Sequence, residues 1–464
     1  MKKSIIPILF ALLSFEHHVF GHDDHLHHWE IPSADPDRIV LTLPGNPSTS
    51  FGVTWRTNTE IDGGVIEIAK ETGAPRFDLT KRVLPASTEN ITFGKNEWKD
   101  ELSINYHSVT VDGLEPDRLY CYRVGDGDVY MTEWIQYRTA PADDSPITFL
   151  YFGDAQNSVF SHWSRVIRAA YQKAPHANFA LHAGDLINRA NRDTEWAEWF
   201  KAGSFIHHSI ATVPVAGNHE FYSNESLINR EKFLSEHWAP QFNLPVEDRF
   251  PEEIQESVYS IDFNHMRVIV LNSNKFQQEQ VAWFREQLKS NDKKWTVLSF
   301  HHPIFSSGKD RNNDDLRELW KPIIDEFGCD LILQGHDHTY ARGQTLQVPV
   351  YSADSEGTES IQTVYVNSVS GPKQYEFQKN GWDDFTADNV NLIQKAENTQ
   401  FFQVITIDGE KIDYKAYTAA GELYDSFVLK KDDTGSKTII QGEAIANTRM
   451  FKNTEPYHRE GMDY

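Results

Sequence analysis

Five short polar motifs follow apolar runs in the second half of the sequence, and their spacing constrains the fold more than any other feature. They are Gly153-Asp154-Ala155-Gln156, Gly184-Asp185, Gly217-Asn218-His219-Glu220, His301-His302-Pro303 and Gly335-His336-Asp337-His338. The runs before them, such as ITFLYF, are typical of strands, and segments such as DLRELWKPIIDEFG between them have helical periodicity. Strands that alternate with helices predict an α/β architecture. Because ligands in such folds gather beyond the C-terminal ends of strands, we expect the motifs to converge.

The side chains of these motifs suit metal ions. Carboxylate and amide oxygens are mixed with imidazoles, in Asp154, Asp185, Asn218, His301, His336 and His338. This mixture favours Fe, Mn or Zn over Ca or Mg alone. A single Gly-Asp pair after a strand is more often a turn or a cap, so the prediction depends on the whole set. Two ions bridged by one carboxylate would clamp a phosphoryl group during in-line displacement.

The segment from 36 to 140 has a different pattern, without helical periodicity. RIVLTL, SFGVTW and LYCYRV alternate or run apolar between Gly, Pro, Asn and Asp turns, which predicts an all-β domain. Trp55 on an early strand, and Leu114-Glu115-Pro116 followed by Tyr120, favour a sandwich with a tyrosine corner. A polar linker leads from it into the α/β segment, for which we predict the bounds 146–431.

The N-terminal segment suggests a route out of the cytoplasm. Lys2 and Lys3 precede the apolar run Ile5–Phe15, so residues 1–21 are expected to be a signal peptide and the protein secreted or periplasmic. A His-rich linker (22–35) and a polar C-terminal tail (432–464) complete the predicted organisation. No later apolar run is long enough to span a bilayer.

The net charge of −24 disfavours binding to nucleic acid or to anionic membranes. An anionic substrate would therefore need a local concentration of positive charge. Bound metal cations would supply it.

The motif series GD, GD, GNHE, H-x-P and GH-x-H resembles the calcineurin-like metallophosphoesterases. The preceding fibronectin type III-like segment, with its YRV and YRTAP junction, resembles the purple acid phosphatase branch. The resemblance implies an α/β metallophosphoesterase sandwich, with two β-sheets flanked by helices, after an all-β fibronectin type III-like sandwich. It also implies a secreted two-metal hydrolase of phosphate esters, an acid phosphatase-like phosphomonoesterase in which metal-activated hydroxide attacks phosphorus.

The same resemblance assigns residue roles. Asp154, Asp185 and His338 would hold the first metal, and Asp185 would bridge to the second. That second metal would be completed by the group Asn218, His301 and His336. His219 is the expected catalytic residue, which with Asn218 contacts phosphate or the leaving oxygen, and the alternative is a histidine that supports the Asn218 loop.

His302 competes with His301 for the ligand role, and the spacing to proline selects His301. The sequence also departs from the purple acid phosphatase pattern. The position of the tyrosine ligand to ferric iron is occupied by Asn188, so the protein is expected to be colourless. Gln156 stands where many metallophosphoesterases have a histidine, and either ligates the first metal or hydrogen-bonds to a neighbouring loop. After the H-x-P motif, Lys309 and Arg311 are candidates to contact phosphate, or are solvated charges.

Two other functions fit parts of the sequence. A phosphodiesterase acting on nucleotide or phospholipid-derived diesters would use the same metals. A non-catalytic protein could dock on glycan or protein through its β-sandwich, but that reading requires lost ligands, and no core ligand is missing.

Overall fold

The computed structural model describes residues 26–94, 101–223, 231–347, 358–442 and 449. The predicted signal peptide, the start of the His-rich linker and most of the predicted tail lie outside these residues. The described end of the linker contacts the protein, since the Trp29 and Phe160 rings lie 5.2 Å apart and the Glu30 carbonyl accepts a hydrogen bond from Arg56.

The N-terminal domain is an all-β sandwich, as predicted. Its strands are β1 Asp37–Thr42, β2 Phe51–Thr57, β3 Val65–Lys70, β4 Arg82–Pro85, β5 Ser87–Phe93, β6 Leu102–Val111, β7 Leu119–Gly125 and β8 Ile135–Arg138. Over the described residues they form two antiparallel sheets, in the orders β1-β2-β6-β5 and β4-β3-β7-β8. Trp55 is fully buried in the core, and the Tyr120 hydroxyl accepts a hydrogen bond from the Glu115 N–H at 2.9 Å. This bond is the predicted tyrosine corner.

The second domain combines strands with short helices. Its first strands are β9 Ile147–Phe152, β10 Phe179–His182, β11 Ala211–Pro214, β12 Phe221–Ser223, β13 Lys232–Leu234, β14 Tyr259–Asp262, β15 Met266–Val270, β16 Trp295–Ser299 and β17 Leu331–Gln334. The later strands are β18 Tyr340–Leu346, β19 Thr358–Asn367, β20 Val390–Ala396, β21 Phe401–Asp408, β22 Lys411–Thr418, β23 Leu423–Lys431 and β24 Lys437–Gln441. The helices are α1 Ser164–Lys173, α2 Asp193–Gly203, α3 Phe205–Ser209, α4 Trp238–Gln241, α5 Gln280–Lys289 and α6 Asp314–Phe327.

Two groups of parallel strands form the predicted α/β sandwich. One group is β9, β10 and β11, and the other is β15, β16, β17 and β19. The antiparallel strands β21 to β24 join the two groups, because β21 pairs with β9 and β24 pairs with β19. The backbone hydrogen bonds of the described strands therefore follow one continuous path through both groups.

Two apolar clusters stabilise the second domain. The larger one contains side chains of both strand groups, such as Phe149 and Val297, and continues into the sandwich at Trp55. The smaller one lies between β15 to β17 and the helices α5 and α6, where Trp283 and Trp320 are buried. The continuity of the larger cluster packs the two domains firmly against each other.

The predicted start of the polar tail at 432 is too early. Strand β24 pairs with β19 and β23, Ile439 is buried, and the Lys437 ammonium donates to the Gly328 and Cys329 carbonyls. Strand β24 contains only two adjacent apolar residues, Ile439 and Ile440, and so shows no recognisable strand pattern in the sequence. The segment becomes a strand because two neighbouring strands offer it hydrogen bonds on both edges.

Candidate metal centre

The five motifs lie together at one edge of the second domain. Each of the strands β9, β10, β11, β16 and β17 ends a few residues before one motif. Because these strands run parallel within each group, their C-terminal ends bring the loops to the same edge. The chain topology thus produces the convergence that the sequence predicts.

The expected ligand atoms form two overlapping groups. Asp154, Asp185 and His338 make one group and Asp185, His301 and His336 the other, with the potential ligand atoms of each group within 4.8 Å of one another. His301 Nε2 lies 3.2 Å from Asp185 Oδ2, so Asp185 faces both groups.

Asn218 completes the second group. Its Oδ1 lies 2.8 Å from His336 Nδ1 and 3.2 Å from His301 Nε2. The structure therefore brings together all six residues predicted as core ligands, and their binding of metal stays a prediction.

The backbone at the cluster is strained in a way that favours this convergence. Four of the expected ligands have positive φ angles, 46° at Asp154, 53° at Asp185, 77° at His336 and 48° at His338. Non-glycine residues rarely adopt such angles, and they persist where surrounding contacts enforce them, often at functional sites. At Gly217 any Cβ atom would lie 2.3 Å from Asp185 Oδ1, so only glycine permits this approach.

Hydrogen bonds outside the cluster orient two of the imidazoles. His301 Nδ1 donates to the Ala183 carbonyl at 2.8 Å, and His338 Nδ1 donates to the Lys373 carbonyl at 2.9 Å. Each bond leaves Nε2 facing the carboxylates. This is the support that metal-binding histidines ordinarily have.

The charges of the cluster depend strongly on one another. Burial, together with the neighbouring Asp185, raises the pKa of Asp154 well above its usual range. Burial opposes ionisation of Asp185 as well, but His301 and His219 hold the pKa of that carboxyl well below its usual range. Burial opposes protonation of His301, but Asp185, Asp154 and the Ala183 carbonyl together outweigh it and raise the pKa of His301 to about 9. Such divergence among neighbouring buried groups is characteristic of functional sites.

Glu220 supports two of the loops, a role that the sequence did not reveal. Its buried carboxylate accepts hydrogen bonds from the N–H groups of Asp185, Leu186 and Gly217 at 2.7–2.8 Å. Burial, followed by the effect of Asp185, raises the pKa of Glu220 to about 7. The GNHE motif contains this glutamate, but its spacing does not show that it joins two loops.

Gln156 lies inside the first group. Its amide nitrogen donates to Asp185 Oδ2 at 2.9 Å and to His338 Nε2 at 3.0 Å. Its buried Oε1 has no hydrogen-bond partner among the described residues. The amide therefore contacts the predicted ligands directly, and half of its hydrogen-bonding capacity is unused.

His219 stands beside the two groups. Its Nδ1 donates to the Asn188 carbonyl at 2.6 Å, and its Nε2 lies 3.9 Å from Asp185 Oδ2. The ring is partly exposed and burial lowers its pKa. His302, the competing ligand candidate, instead places its Nδ1 2.9 Å from the Ser273 hydroxyl and packs against the His336 ring.

The two basic candidates after the H-x-P motif differ. The Lys309 ammonium is exposed and lies 2.5 Å from a carboxylate oxygen of Glu376, so the structure does not direct it into the cluster. Arg311 donates to the His336 carbonyl at 3.0 Å and lies over the Tyr375 ring. Arg311 therefore reaches the rim of the site.

The loop after β19 adds residues that no motif indicates. The Tyr375 ring lies 4.6 Å from the His338 ring. Burial, followed by the Lys373 charge, holds the pKa of His338 well below its usual range. Only the folded chain brings this loop to His338.

Comparison with known proteins agrees with this geometry. Residues 36–139 match the purple acid phosphatase N-terminal domain and residues 147–340 match the calcineurin-like phosphoesterase family. Phosphoenolpyruvate phosphatase from Allium cepa is 24% identical, over 69% of this chain and 65% of its own length. Fe(3+)-Zn(2+) purple acid phosphatase 12 from Arabidopsis thaliana is 25% identical, over 70% of this chain and 69% of its own length.

Among solved structures, the purple acid phosphatase PPD1 from yellow lupin aligns with a TM-score of 0.67 at 19% identity. It covers 86% of this chain and 75% of its own length. The chain spans 53–65% of the length of the first curated relatives that it matches.

The fold is thus that of a metallophosphoesterase. More specifically, the chain contains a calcineurin-like phosphoesterase domain preceded by a purple acid phosphatase N-terminal domain. Within the described residues, no helix has the length and apolar character needed to cross a bilayer.

Proposed function

We propose that this protein is a secreted phosphomonoesterase that uses two metal ions. The observation that carries the proposal is the position of Asp185, whose carboxylate belongs to both ligand groups. Asp154, Asp185, Gln156 and His338 would hold one ion. The other would be held by Asp185 together with the group Asn218, His301 and His336.

The donor atoms support Fe, Zn or Mn in these positions, since imidazoles are mixed with carboxylate and amide oxygens. The name of the Arabidopsis relative includes Fe(3+) and Zn(2+). Asn188 replaces the tyrosine expected to bind ferric iron, and its carbonyl accepts the hydrogen bond from His219. We therefore expect no strong visible charge-transfer band.

When bound, such ions act as Lewis acids that take up negative charge on phosphate oxygens and acidify water. The protein supplies orientation and proton transfer. Asn218 and His219 would bind the phosphate, and Arg311 would add positive charge at the rim. His219 Nε2 is available to hold a proton at the leaving oxygen, because Nδ1 is engaged by Asn188.

The name of the Allium relative indicates a phosphomonoester substrate for that protein, and this supports a monoester here. The direct test compares hydrolysis of 4-nitrophenyl phosphate with that of bis(4-nitrophenyl) phosphate, with elemental analysis of the same sample. The proposal expects about two metal ions per chain and faster hydrolysis of the monoester. Faster hydrolysis of the diester would favour a phosphodiesterase instead. Metal-loaded protein inactive on both esters would contradict the proposal.

Secretion is supported by the basic and apolar sequence from Lys2 to Phe15. N-terminal sequencing of the protein from the extracellular or periplasmic fraction should begin after Gly21. Intact Met1 in protein confined to the cytoplasm would contradict this part of the proposal.

A further inference from the structure

The N-terminus of helix α2 is held by the β-sandwich. The Arg38 guanidinium donates to both carboxylate oxygens of Asp193, at 2.7 and 2.8 Å, and to the Asp193 carbonyl at 3.1 Å. His237 Nε2 lies 3.2 Å from the same carboxylate, and Arg56 lies 3.4 Å away. All of these side chains are buried, so the first residue of α2 is fixed by a paired charge cluster.

The backbone at Arg38 is arranged for this contact. Its φ angle is 49°, and the pairing of β1 with β2 shifts register between Asp37 and Val40. Bulges of this kind redirect a side chain out of the regular alternation of a strand. Here the redirected side chain reaches a helix of the other domain.

Two residues further along α2, Glu195 holds the loop that follows Asp185. One buried carboxylate oxygen of Glu195 accepts hydrogen bonds from the N–H groups of Asn188, at 2.7 Å, and Arg189, at 2.8 Å. The carbonyl of the same Asn188 accepts the bond from His219 Nδ1. Glu195 therefore fixes the residue from which His219 takes its orientation.

Given the proposed function of the site, we propose that Glu195 is a positioning residue for His219, and that the β-sandwich sets the position of Glu195 by holding Asp193. Glu195 does not touch the cluster, and its effect passes through the Asn188 loop. Without its carboxylate, two N–H groups of the loop lose their partner and the loop relaxes. Displacement of a catalytic group by about 1 Å is enough to lower a rate about 10²-fold.

The first test is a double-mutant cycle in the full-length, metal-loaded protein, with an alkyl phosphate such as glycerol phosphate as substrate. Glu195→Ala should lower kcat about 10- to 100-fold with metal content unchanged, and should have little further effect when His219 is already alanine. Glu195→Gln, which retains an acceptor oxygen, should recover part of the rate. Equal losses with and without His219 would overturn the proposal.

The matched control is Glu198→Ala, on the same helix. In the wild type, the Glu198 carboxylate accepts a hydrogen bond from the Phe160 N–H, whereas Glu195 accepts those of the Asn188 loop. This variant should keep the wild-type rate. A loss as large as that of Glu195→Ala would mean that any damage to α2 is sufficient, and would contradict a specific role.

A second measurement does not depend on turnover. In protein with ¹⁵N-labelled histidine, the His219 signals are assigned by their absence in His219→Ala. The neutral ring should be protonated at Nδ1 in the wild type and should become a mixture of tautomers in Glu195→Ala. An unchanged His219 spectrum would overturn the proposal even if activity fell. Wild-type protein inactive on every ester would instead reject the proposed function, and this spectrum would still test Glu195.

The link to the sandwich is tested by Arg38→Met and by the milder Arg38→Lys, which keeps the charge but not the two-point contact. The control is Arg123→Met. In the wild type, the Arg123 guanidinium pairs with Glu67 within the sandwich at 2.8 Å. Folded Arg38 variants should show the same change in the His219 signals, and Arg123→Met should not. A wild-type His219 spectrum in a folded Arg38 variant would overturn this link.

Discussion

The metal-binding edge and the contact between the domains both contain buried charges, but they differ in how those charges are satisfied. At the contact, the Arg38 guanidinium donates two hydrogen bonds to the Asp193 carboxylate, and His237 lies beside it. At the metal-binding edge, Asp154 and Asp185 lie close to imidazoles, and their backbone φ angles are positive. The Gln156 side-chain oxygen there has no hydrogen-bond partner among the described residues.

The comparison shows what to expect of each region. Charges that satisfy one another hold parts of a protein in place, and removal of one partner leaves a costly buried charge. Carboxylate, amide and imidazole atoms that lie within ligand distance of one another suit cations from solution. Mutations should therefore act mainly on stability in the first region and mainly on metal content and rate in the second.

The largest effect is expected for Asp185→Asn, because this residue belongs to both ligand groups. Metal binding and turnover should both be lost, with a rate decrease of more than about 10³-fold. Asp337→Asn is the control, since this buried carboxylate at the same edge accepts the Ser307 and Gly308 N–H groups. Elemental analysis should show metal loss in the first variant only, and full occupancy in Asp185→Asn would contradict the bridging role.

His219 belongs to the edge, but its orientation depends on the neighbouring region. His219→Ala should keep both metals, while the rate falls about 10²–10⁴-fold, the usual contribution of a positioned acid or base. The loss should be smaller for a nitrophenyl ester, whose leaving group departs without a proton, than for an alkyl phosphate. Rates plotted against leaving-group pKa check this. An equal loss for all esters would indicate phosphate binding, and loss of metal would indicate a structural role.

At the domain contact, Arg38→Met should lower the free energy of unfolding by about 3–5 kcal/mol at neutral pH, because Asp193 becomes a poorly paired buried charge. Burial favours the neutral form of Asp193, but Arg38 and His237 hold its pKa well below the usual range. The stability that this low pKa contributes is present above the unfolded-state value of about 3.9 and is lost as pH falls towards the folded-state value.

The difference between wild type and Arg38→Met should therefore narrow in acid, since the variant's Asp193 can then be neutral. Denaturant unfolding of both proteins at pH 7 and at pH 3 measures this difference in the free energy of unfolding. A constant difference at both values would show that Arg38 stabilises the contact through packing alone.

The smallest effect distinguishes the two roles of Gln156. If its amide oxygen ligates the first metal, Gln156→Leu should weaken that metal about 10- to 100-fold without changing the second. Gln156→His, which offers an imidazole nitrogen in place of the amide oxygen, should bind normally. Isothermal titration calorimetry with the metal gives the affinities of both sites. Unchanged binding by Gln156→Leu would assign Gln156 to hydrogen bonding alone.

The sequence predicted the architecture, and the ligand candidates lie together as expected, because both follow from local patterns; metal binding by these residues stays a prediction. A strand followed by Gly-Asp or Gly-His can be recognised from a short stretch of sequence. Parallel strands then bring the loops that contain these motifs to one edge of the sheet.

The features that the sequence did not reveal depend on contacts between segments that lie far apart in the chain. Lys373 and Tyr375 reach His338 only because the loop after β19 folds over it. Strand β24 needs the two neighbours that it pairs with, and the bulge at Arg38 has no signal in the sequence around it.

The central claim is that two metal ions share Asp185. Anomalous X-ray diffraction from crystals grown with Zn or Mn tests it most directly. We expect two peaks about 3.5–4 Å apart, with the Asp185 carboxylate bound to both. A single peak, or two peaks of which only one contacts Asp185, would contradict it.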